Sequence, residues 1–252
     1  MKAWTRRDLT IVPLGPQDCI VIACDSCGAV GEKEGDVFAL SPRYVGKFAA
    51  RVALTEVLCS GALPVTIING LACEMQPTGQ VSILGIREEL KNAGLSEIVL
   101  TGSTEENFPT SMTALAITVV GTIKQAQLKF GRAAAGDQLI LLGTPKVGTE
   151  VDLESSGFYP EIRRLLPLPG VKELIPVGSK GVAHEAQMLA ALSGAGCELF
   201  QTGINYCKSA GPATCLLVLC EEPSAAQVLE VCQPARVIGK IIQPKEGAHA
   251  KK

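Results

Sequence analysis

Acidic side chains interrupt the apolar pattern of this chain at several points, and they are its first candidates for chemistry. On a helical projection at about 100° per residue, Glu56 falls on the same stripe as Val45, Phe48 and Val52. A carboxylate on such a buried stripe is costly unless it is paired, hydrogen-bonded or bound to a metal ion. Glu56 is therefore either a metal ligand or the partner of an arginine or a backbone amide, and the sequence leaves both interpretations open.

Asp25 is the second candidate, because it directly follows the apolar run Cys19 to Cys24, which predicts a strand. Ligands of α/β proteins bind beyond the carboxyl ends of strands. Asp25 therefore lies where a metal ion or a substrate would be met. The alternative is a structural turn formed by Asp25 and Gly28, since both residue types are frequent in turns.

The third candidate is the segment Thr101 to Asn107, which follows the apolar run Glu97 to Leu100. Its members that suit a ligand-binding loop are Gly102, Ser103, Thr104, Glu105 and Glu106. Glycine allows the backbone to approach a ligand closely, and hydroxyl and carboxylate oxygens suit Mg²⁺, which keeps several of its waters. The alternative is an ordinary solvated loop.

Three lysines are candidate contacts for phosphate. Lys180 and Gly181 precede a predicted helix, and the N-terminus of a helix is a natural anion site. Lys146 lies in a loop between two glycines, which favours a substrate loop or a simple turn. Lys47 and Arg51 are expected to project away from the apolar stripe of their helix, which would leave Lys47 free to reach a ligand.

The composition excludes several classes of protein. The chain has 252 residues, of which 47% are hydrophobic and 19% charged, so it is long and apolar enough for a sizeable core. Its net charge of −2 and its 4% of aromatic residues argue against nucleic-acid binding. Its two histidines are too few for a histidine metal cage. The signatures GxxxxGKS/T and GxGxxG are absent from the sequence, so any phosphate site here uses another device.

Cysteine usage predicts a reducing compartment. The ten cysteines lie mostly inside apolar runs, where reduced cysteine behaves as a small core residue. Cys24 and Cys27 form the single CxxC, and no second pair completes a zinc site. The N-terminus has no apolar signal segment, and no run of about eighteen apolar residues predicts a membrane span. We therefore expect a cytoplasmic protein with no membrane contact.

Strand-length apolar runs alternate with helical periodicity, which predicts an α/β protein of the α+β type. The predicted strands cover 19–24, 64–68, 97–100, 115–120, 138–142 and 215–219, and the predicted helices cover 42–60, 81–93, 182–192 and 224–231. The small, polar stretch Lys129 to Gly136 separates two halves. We therefore predict domains of residues 1–130 and 131–252, with a frayed tail from Pro244.

Taken in order, these segments resemble the aminoimidazole ribonucleotide synthetase (PurM-like) superfamily. The strongest likeness is VGKFAARVALTEVLCSGALP, residues 45–64, which is similar without gaps to the superfamily helix IGKLAV…NDLAMSGAxP. VLTGSTEENFP resembles the VGGDT or VGGET loop, and AGDQLILLGTPKVG resembles the start of the second domain. GSKGVAHEAQMLAALSGAGCEL, GPATCLLVLC and ARVIGKI resemble the later glycine–helix segment and the closing strands.

The resemblance implies a two-domain fold in which an N-terminal sheet forms a barrel across a homodimer and the C-terminal domain is an α/β sandwich. It also implies ATP near the dimer interface, with Mg²⁺ held by acidic side chains. Glu56 falls on the metal-binding Asp of the helix motif, and Asp25 falls on the Asp of the preceding strand end. Glu105 or Glu106 would complete the metal shell. The three lysines, with the glycines and hydroxyls named above, would contact the nucleotide.

Departures from the superfamily pattern narrow the choice of activity. The GDDAA motif of the thiamine-monophosphate kinase group is missing, Ser103 replaces the loop acid, and Lys180 stands at the acid of the SDGL motif. The compact chain most resembles the α-ribazole kinase branch. That likeness implies a phosphotransferase that moves phosphate from Mg-ATP to the 5′-hydroxyl of α-ribazole in cobamide lower-ligand salvage. The alternatives are a thiamine-monophosphate kinase-like enzyme, an amide- or carbonyl-activating synthetase, and a non-catalytic nucleotide-binding relative.

Overall fold

A computed structural model of the chain describes residues 2–231 and 233–243. The tail predicted from Pro244 and the cysteine at position 232 lie outside these residues. The chain divides into two compact units. Unit 1 comprises Met1–Leu128 and Asp152–Tyr159, and unit 2 comprises Lys129–Val151 and Pro160–Lys252. The two predicted domains, 1–130 and 131–252, remain a prediction. The segment Asp152–Tyr159 falls in the second predicted domain but belongs to unit 1.

Unit 1 is built on a six-stranded sheet with two helices. Its strands are β1 Trp4–Arg6, β2 Leu9–Pro13, β3 Asp18–Gly28, β4 Val30–Gly31, β5 Phe38–Ala39, β6 Leu63–Leu71, β7 Val99–Thr104 and β8 Ala114–Lys124. Its helices are α1 Pro42–Cys59 and α2 Gln80–Asn92, preceded by a π-helical turn, Met75–Gly79. The sheet order is β1-β2-β3-β8-β6-β7, while β4 and β5 form a separate parallel pair. All pairs in the large sheet are antiparallel except β6 with β7.

Helix α1 is the centre of unit 1. Pro42 occupies its first turn, where the missing N–H of proline costs nothing. One side of α1 packs on β3, β6 and β8, and another packs on α2. The two helices approach closely because Gly46 and Gly85 face the partner backbone, where a Cβ atom would collide with the carbonyls of Ser82 and Arg43. Lys47 and Arg51 of α1 are therefore buried against α2 and pair with its carboxylates.

Unit 2 is an antiparallel sheet with its own helices. Its strands are β9 Gln138–Gly143, β10 Val171–Pro176, β11 Gly196–Leu199, β12 Cys215–Cys220 and β13 Ala235–Ile242, and its helices are α3 Tyr159–Leu165, α4 Gly181–Leu192 and α5 Ala225–Val231. Tyr159, the first residue of α3, is assigned to unit 1. The sheet order is β10-β12-β9-β13-β11. Strands β9 and β12 are almost wholly buried and read as continuous apolar runs. Side chains of α4 complete a core with these strands.

The mixed α/β class predicted from the pattern is confirmed, as are the six predicted strands and four predicted helices. The largest shifts lie at β3, which continues through Gly28, and at β7, which begins at Val99 and continues through Thr104. ARVIGKI, which the resemblance gave as a closing strand, lies in β13. The strands that were missed are β1, β2, β4, β5, β10 and β11. Among the described residues, no helix combines the length and the apolar character that crossing a membrane requires.

Candidate functional site

Glu56 lies in an ion pair with Arg7. The Arg7 Nη2 atom lies 3.1 Å from Glu56 Oε1 and 3.0 Å from Oε2, and both side chains are more than nine-tenths buried. Arg7 reaches the helix from the turn between β1 and β2, where its backbone adopts a left-handed φ of 54°. Of the two interpretations that the sequence left open for Glu56, the structure shows the arginine partner.

Asp25 lies inside β3 and not beyond its end, because the strand continues for three residues to Gly28. Its partner in the antiparallel ladder is Ile117 of β8. Burial raises the pKa of Asp25 from 3.8 to about 6, and the negative charge of Asp8 adds to the rise against a hydrogen bond from the Ser26 backbone. A strand position replaces the turn that was the alternative for Asp25. The carboxyl group holds its proton unusually well, as acids at functional sites often do.

Lys47 and Arg51, which were expected to project away from the apolar stripe of α1, are both buried, and this corrects the expectation that Lys47 is free to reach a ligand. Lys47 is fully buried, and its Nζ lies 2.8 Å from Glu88 Oε1 and 2.8 Å from the carbonyl of Leu153. Arg51 is nearly as buried and pairs with Glu89. Both residues lie between α1 and α2, since α1 is covered on that side as well. An amine held in this way would have to give up these partners to contact a phosphate, so we expect Lys47 to act as a structural residue.

Gly102, Ser103 and Thr104 belong to strand β7 and not to a loop. This strand is the edge of the sheet and pairs in parallel with β6, with Asn69 opposite Gly102. A Cβ atom at Gly102 would collide with the carbonyl and side chain of Asn69, so glycine is required here for packing between strands. That Gly102 also lets the backbone approach a ligand remains a prediction.

Glu105 and Glu106 open the loop after β7, and each is held by backbone amides. Glu105 Oε1 accepts hydrogen bonds from the N–H groups of Asn107 and Phe108 at 2.6 and 3.1 Å, which hold the pKa of this carboxyl below its usual value. Glu106 Oε1 accepts from the N–H of Met75 at 2.8 Å. Both carboxylates therefore stabilise the loop through its backbone. The same hydrogen bonds fix the direction in which the second oxygen of each carboxylate points.

An open cleft of about 440 Å³ lies beside this loop. Its lining residues are Lys33, Glu74, Glu105, Glu106, Asn107, Phe108, Pro109 and Thr110. Lys33 Nζ lies 2.6 Å from Glu74 Oε2, and Thr78 donates to the other oxygen of Glu74 at 2.5 Å. These partners, opposing the effect of burial, lower the pKa of Glu74 to about 2. The cleft thus carries a fixed negative charge beside a ring, Phe108, that is 76% exposed.

The remaining predicted contacts lie in unit 2. The backbone N–H of Lys146 donates to Thr214 Oγ1 at 3.0 Å, in the turn after β9. Lys180 is exposed at the N-cap of α4, and Gly181 is the first residue of that helix. The side chain of Lys180 is therefore placed at a helix N-terminus, where the backbone and the ammonium group would act on an anion together.

The four predicted metal ligands do not form one acidic cluster. Within residues 2–231 and 233–243, no three His, Cys, Asp or Glu side chains lie close enough together to hold a metal ion. Glu56 is paired with Arg7, while Glu105 and Glu106 are tied to the loop backbone. These residues do not fit a resident Mg²⁺ site assembled as the resemblance implied. The nine described cysteines, including Cys24 and Cys27, are free thiols.

Arg7, Lys33 and Glu74 are the residues of this region that sequence reasoning missed. Arg7 lies in a hairpin turn next to the three-residue strand β1, 49 positions before Glu56. Lys33 and Glu74 are separated by about forty positions and meet only in the fold. The one signal for Arg7 was indirect, because a buried Glu56 needed a partner of opposite charge.

Known proteins share this fold. A family model described as AIR synthase related protein, N-terminal domain, matches residues 6–123, which run from the last residue of β1 to nearly the end of β8. The structure of T. maritima PurL complexed with AMPPCP matches with a TM-score of 0.72 and 14% identity, covering 92% of this chain and 42% of that one. E. coli HypE matches with a TM-score of 0.67 and 19% identity, covering 88% of this chain and 80% of that one. No curated protein matches the sequence.

These matches define the fold. The fold is PurM-like, and residues 6–123 match the family model of the AIR synthase related protein N-terminal domain. The chain spans 42% of the length of the PurL structure that it matches. Structural matches at identities below 20% show the fold alone. The activity of this chain has to be argued from its own residues.

Proposed function

We propose that this chain is an ATP-dependent phosphotransferase whose acceptor is an alcohol group of a nucleoside-like molecule, with the 5′-hydroxyl of α-ribazole as the particular acceptor. The observation that carries the proposal is the open cleft beside Glu105 and Glu106, on a fold shared with proteins whose structures hold nucleotides. T. maritima PurL is described in complex with ATP, with ADP and with AMPPCP.

The cleft suits the acceptor. Its volume of about 440 Å³ lies within the usual range for a small-molecule pocket. The exposed ring of Phe108 offers a surface on which an aromatic base stacks, and the free oxygens of Glu105 and Glu106 accept hydrogen bonds from ribose hydroxyls. Glu74 stays ionised because Lys33 and Thr78 hold its charge. Such a cleft favours a neutral polyol over a phosphorylated ligand.

Magnesium enters the proposal with the nucleotide, as Mg-ATP, because the predicted acids do not form a resident site. Asp25 is the carboxyl group proposed to face the magnesium-bound phosphates. The edge-strand residues Gly102, Ser103 and Thr104 are proposed to line the nucleotide. Lys146, Lys180 and Gly181 of unit 2 are proposed contacts for phosphate. Catalysis by these groups consists of positioning and neutralising charge, as in phosphoryl transfer generally.

A homodimer is part of the proposal, supported by the exposed face of the unit 1 sheet. Buried side chains of the sheet face α1, while the opposite face presents Leu63, Val65 and Ile68 from β6 and Val99 from β7. Leu63 and Val99 are each more than 60% exposed. Contiguous exposed apolar side chains on a sheet mark an interaction surface. A second copy of the same face would cover them and close the two sheets into a barrel.

The test is a transfer assay with ATP labelled at its γ-phosphate and a panel of α-ribazole, thiamine monophosphate and aminoimidazole precursors. We expect label in isolated α-ribazole phosphate. Release of free phosphate with an amide or carbonyl substrate would instead identify a synthetase. The variant Phe108→Ala should raise the KM of the acceptor about tenfold. The matched control is Leu192→Ala, which trims an exposed apolar side chain at the end of α4.

A binding module without catalysis is the second candidate, and the observation that favours it is the lack of a three-acid cluster among the described residues. Calorimetric titration with Mg-ATP does not separate the candidates by itself, because an enzyme and a nucleotide-binding module both bind ATP. The panel assay decides between them. Nucleotide binding without turnover of any acceptor would support the module.

A further inference from the structure

The hairpin turn between β1 and β2 places the guanidinium of Arg7 against helix α1. Arg7 is the first residue of the turn, and its guanidinium contacts both carboxylate oxygens of Glu56 through a single nitrogen at 3.0 and 3.1 Å. Only 3% of the Arg7 side chain and 8% of the Glu56 side chain are exposed. The pair is therefore shielded from competing water and from dissolved ions.

A metal ion and the Arg7 guanidinium compete for the same two oxygens. A divalent cation bound to Glu56 would lie within a few ångströms of a buried positive charge, where the repulsion is poorly screened. Displacing Arg7 would leave its guanidinium buried without this partner, which is as costly as breaking a buried ion pair. Both routes oppose a metal at this point of α1.

The surrounding acids are consistent with a cation at this place. Asp8 is the second residue of the same turn, and its charge acts on Asp25 in β3. The Arg7 guanidinium beside the Glu56 carboxylate supplies the positive charge that a divalent ion would otherwise supply there.

We infer that Arg7 is a built-in cation that takes the place of a metal ion at Glu56. Glu56 is then a positioning residue that holds Arg7 and the hairpin turn, and it ligates no metal. The divalent ion that this chain binds is restricted to the one that enters with a nucleotide. This inference concerns ion binding and stands whether or not the chain transfers phosphate.

The first experiment measures Mn²⁺ binding by electron paramagnetic resonance, with the full chain and AMPPCP present. Glu56→Gln keeps the shape and a hydrogen-bond acceptor for Arg7 but removes the carboxylate. We expect its Mn²⁺ affinity to lie within twofold of that of the unmodified chain. A loss of tenfold or more would show that Glu56 ligates the metal and would overturn the inference.

The second experiment removes the cation and uses no nucleotide. We expect the unmodified chain and Arg7→Lys to show no Mn²⁺ site that depends on Glu56. Arg7→Ala should gain such a site, and Arg7→Ala combined with Glu56→Gln should lose it again. A folded Arg7→Ala chain, checked by circular dichroism, that gains no Mn²⁺ binding would contradict the inference. If Arg7→Ala does not fold, the Glu56→Gln titration decides alone.

Discussion

Arg51 of α1 and Glu89 of α2 form a buried, two-pronged ion pair, with Nε 2.7 Å from Oε1 and Nη2 3.2 Å from Oε2. Tyr159 also donates its hydroxyl to Glu89 Oε1 at 2.7 Å, and the carbonyl of Ser155 accepts from Arg51. The pair thus fixes the crossing of the two helices. It also holds the segment Asp152–Tyr159 in unit 1.

Removing one member of this pair should destabilise the protein more than removing both. Arg51→Met leaves Glu89 buried and charged, and we expect the free energy of unfolding to fall by about 3–5 kcal/mol. Combining Arg51→Met with Glu89→Met should recover part of that loss, because no buried charge is left unpaired. Urea denaturation of both variants is the measurement. Equal losses in the single and double variants would argue that the packing of the side chains, and not their charge, is responsible.

Lys47 and Lys180 should respond oppositely to substitution. Lys47→Met removes a buried amine that bonds Glu88 and Leu153, so we expect a loss of about 1–3 kcal/mol of stability. Its effect on the KM for ATP should stay within twofold. Lys180→Ala, at the exposed start of α4, should leave stability unchanged within about 0.5 kcal/mol and raise the KM for ATP about tenfold. Thermal melts and steady-state kinetics measure both, and a KM effect confined to Lys47→Met would reverse the assignment.

Asp25 should make the protein less stable as the pH rises. The pKa of Asp25 is about 6 in the folded chain against 3.8 for an ordinary aspartate, so the folded state binds this proton more tightly. Its contribution to the free energy of unfolding is therefore greatest below about pH 4, falls between about pH 4 and 6, and is lost above. We expect a change of about 1–2 kcal/mol. Asp25→Asn should lack this component in urea titrations from pH 4 to 7, and a slope identical to that of the unmodified chain would refute the assignment.

The exposed sheet face should control the oligomeric state. Val65→Glu places a charge among Leu63, Ile68 and Val99, and burying it unpaired between two copies is costly. We expect the variant to sediment as a monomer at concentrations where the unmodified chain sediments as a dimer. Leu192→Glu, on the exposed end of α4, is the matched control and should not change the sedimentation coefficient. An unmodified chain that sediments as a monomer would remove the homodimer from the proposal.

Local pattern determined much of the fold. Continuous apolar runs predicted β9 and β12, and helical periodicity predicted α1, α2 and α4, because burial on one face or both leaves a period in the sequence. Strands β1 and β10 escaped for the opposite reason. Strand β1 has only three residues, and Lys172 and Glu173 interrupt the apolar run of β10, so neither strand shows a period. Strand β1 is held by its hairpin partner β2, and β10 is held by β12, which lies far along the chain. The resemblance carried by residues 45–64 identified the fold that the comparisons then supported.

The roles of the charged residues were decided only by tertiary structure. The sequence showed that Glu56 had to be satisfied, because a lone buried carboxylate is costly, but it did not show by what. Arg7 lies 49 positions away, and the contact exists only because the hairpin turn is brought to the face of α1. Lys47 was expected to be free to reach a ligand, because the sequence of a single helix reveals one apolar stripe. The burial of its other face against α2 depends on glycines in both helices, which a helical projection of a single segment does not register.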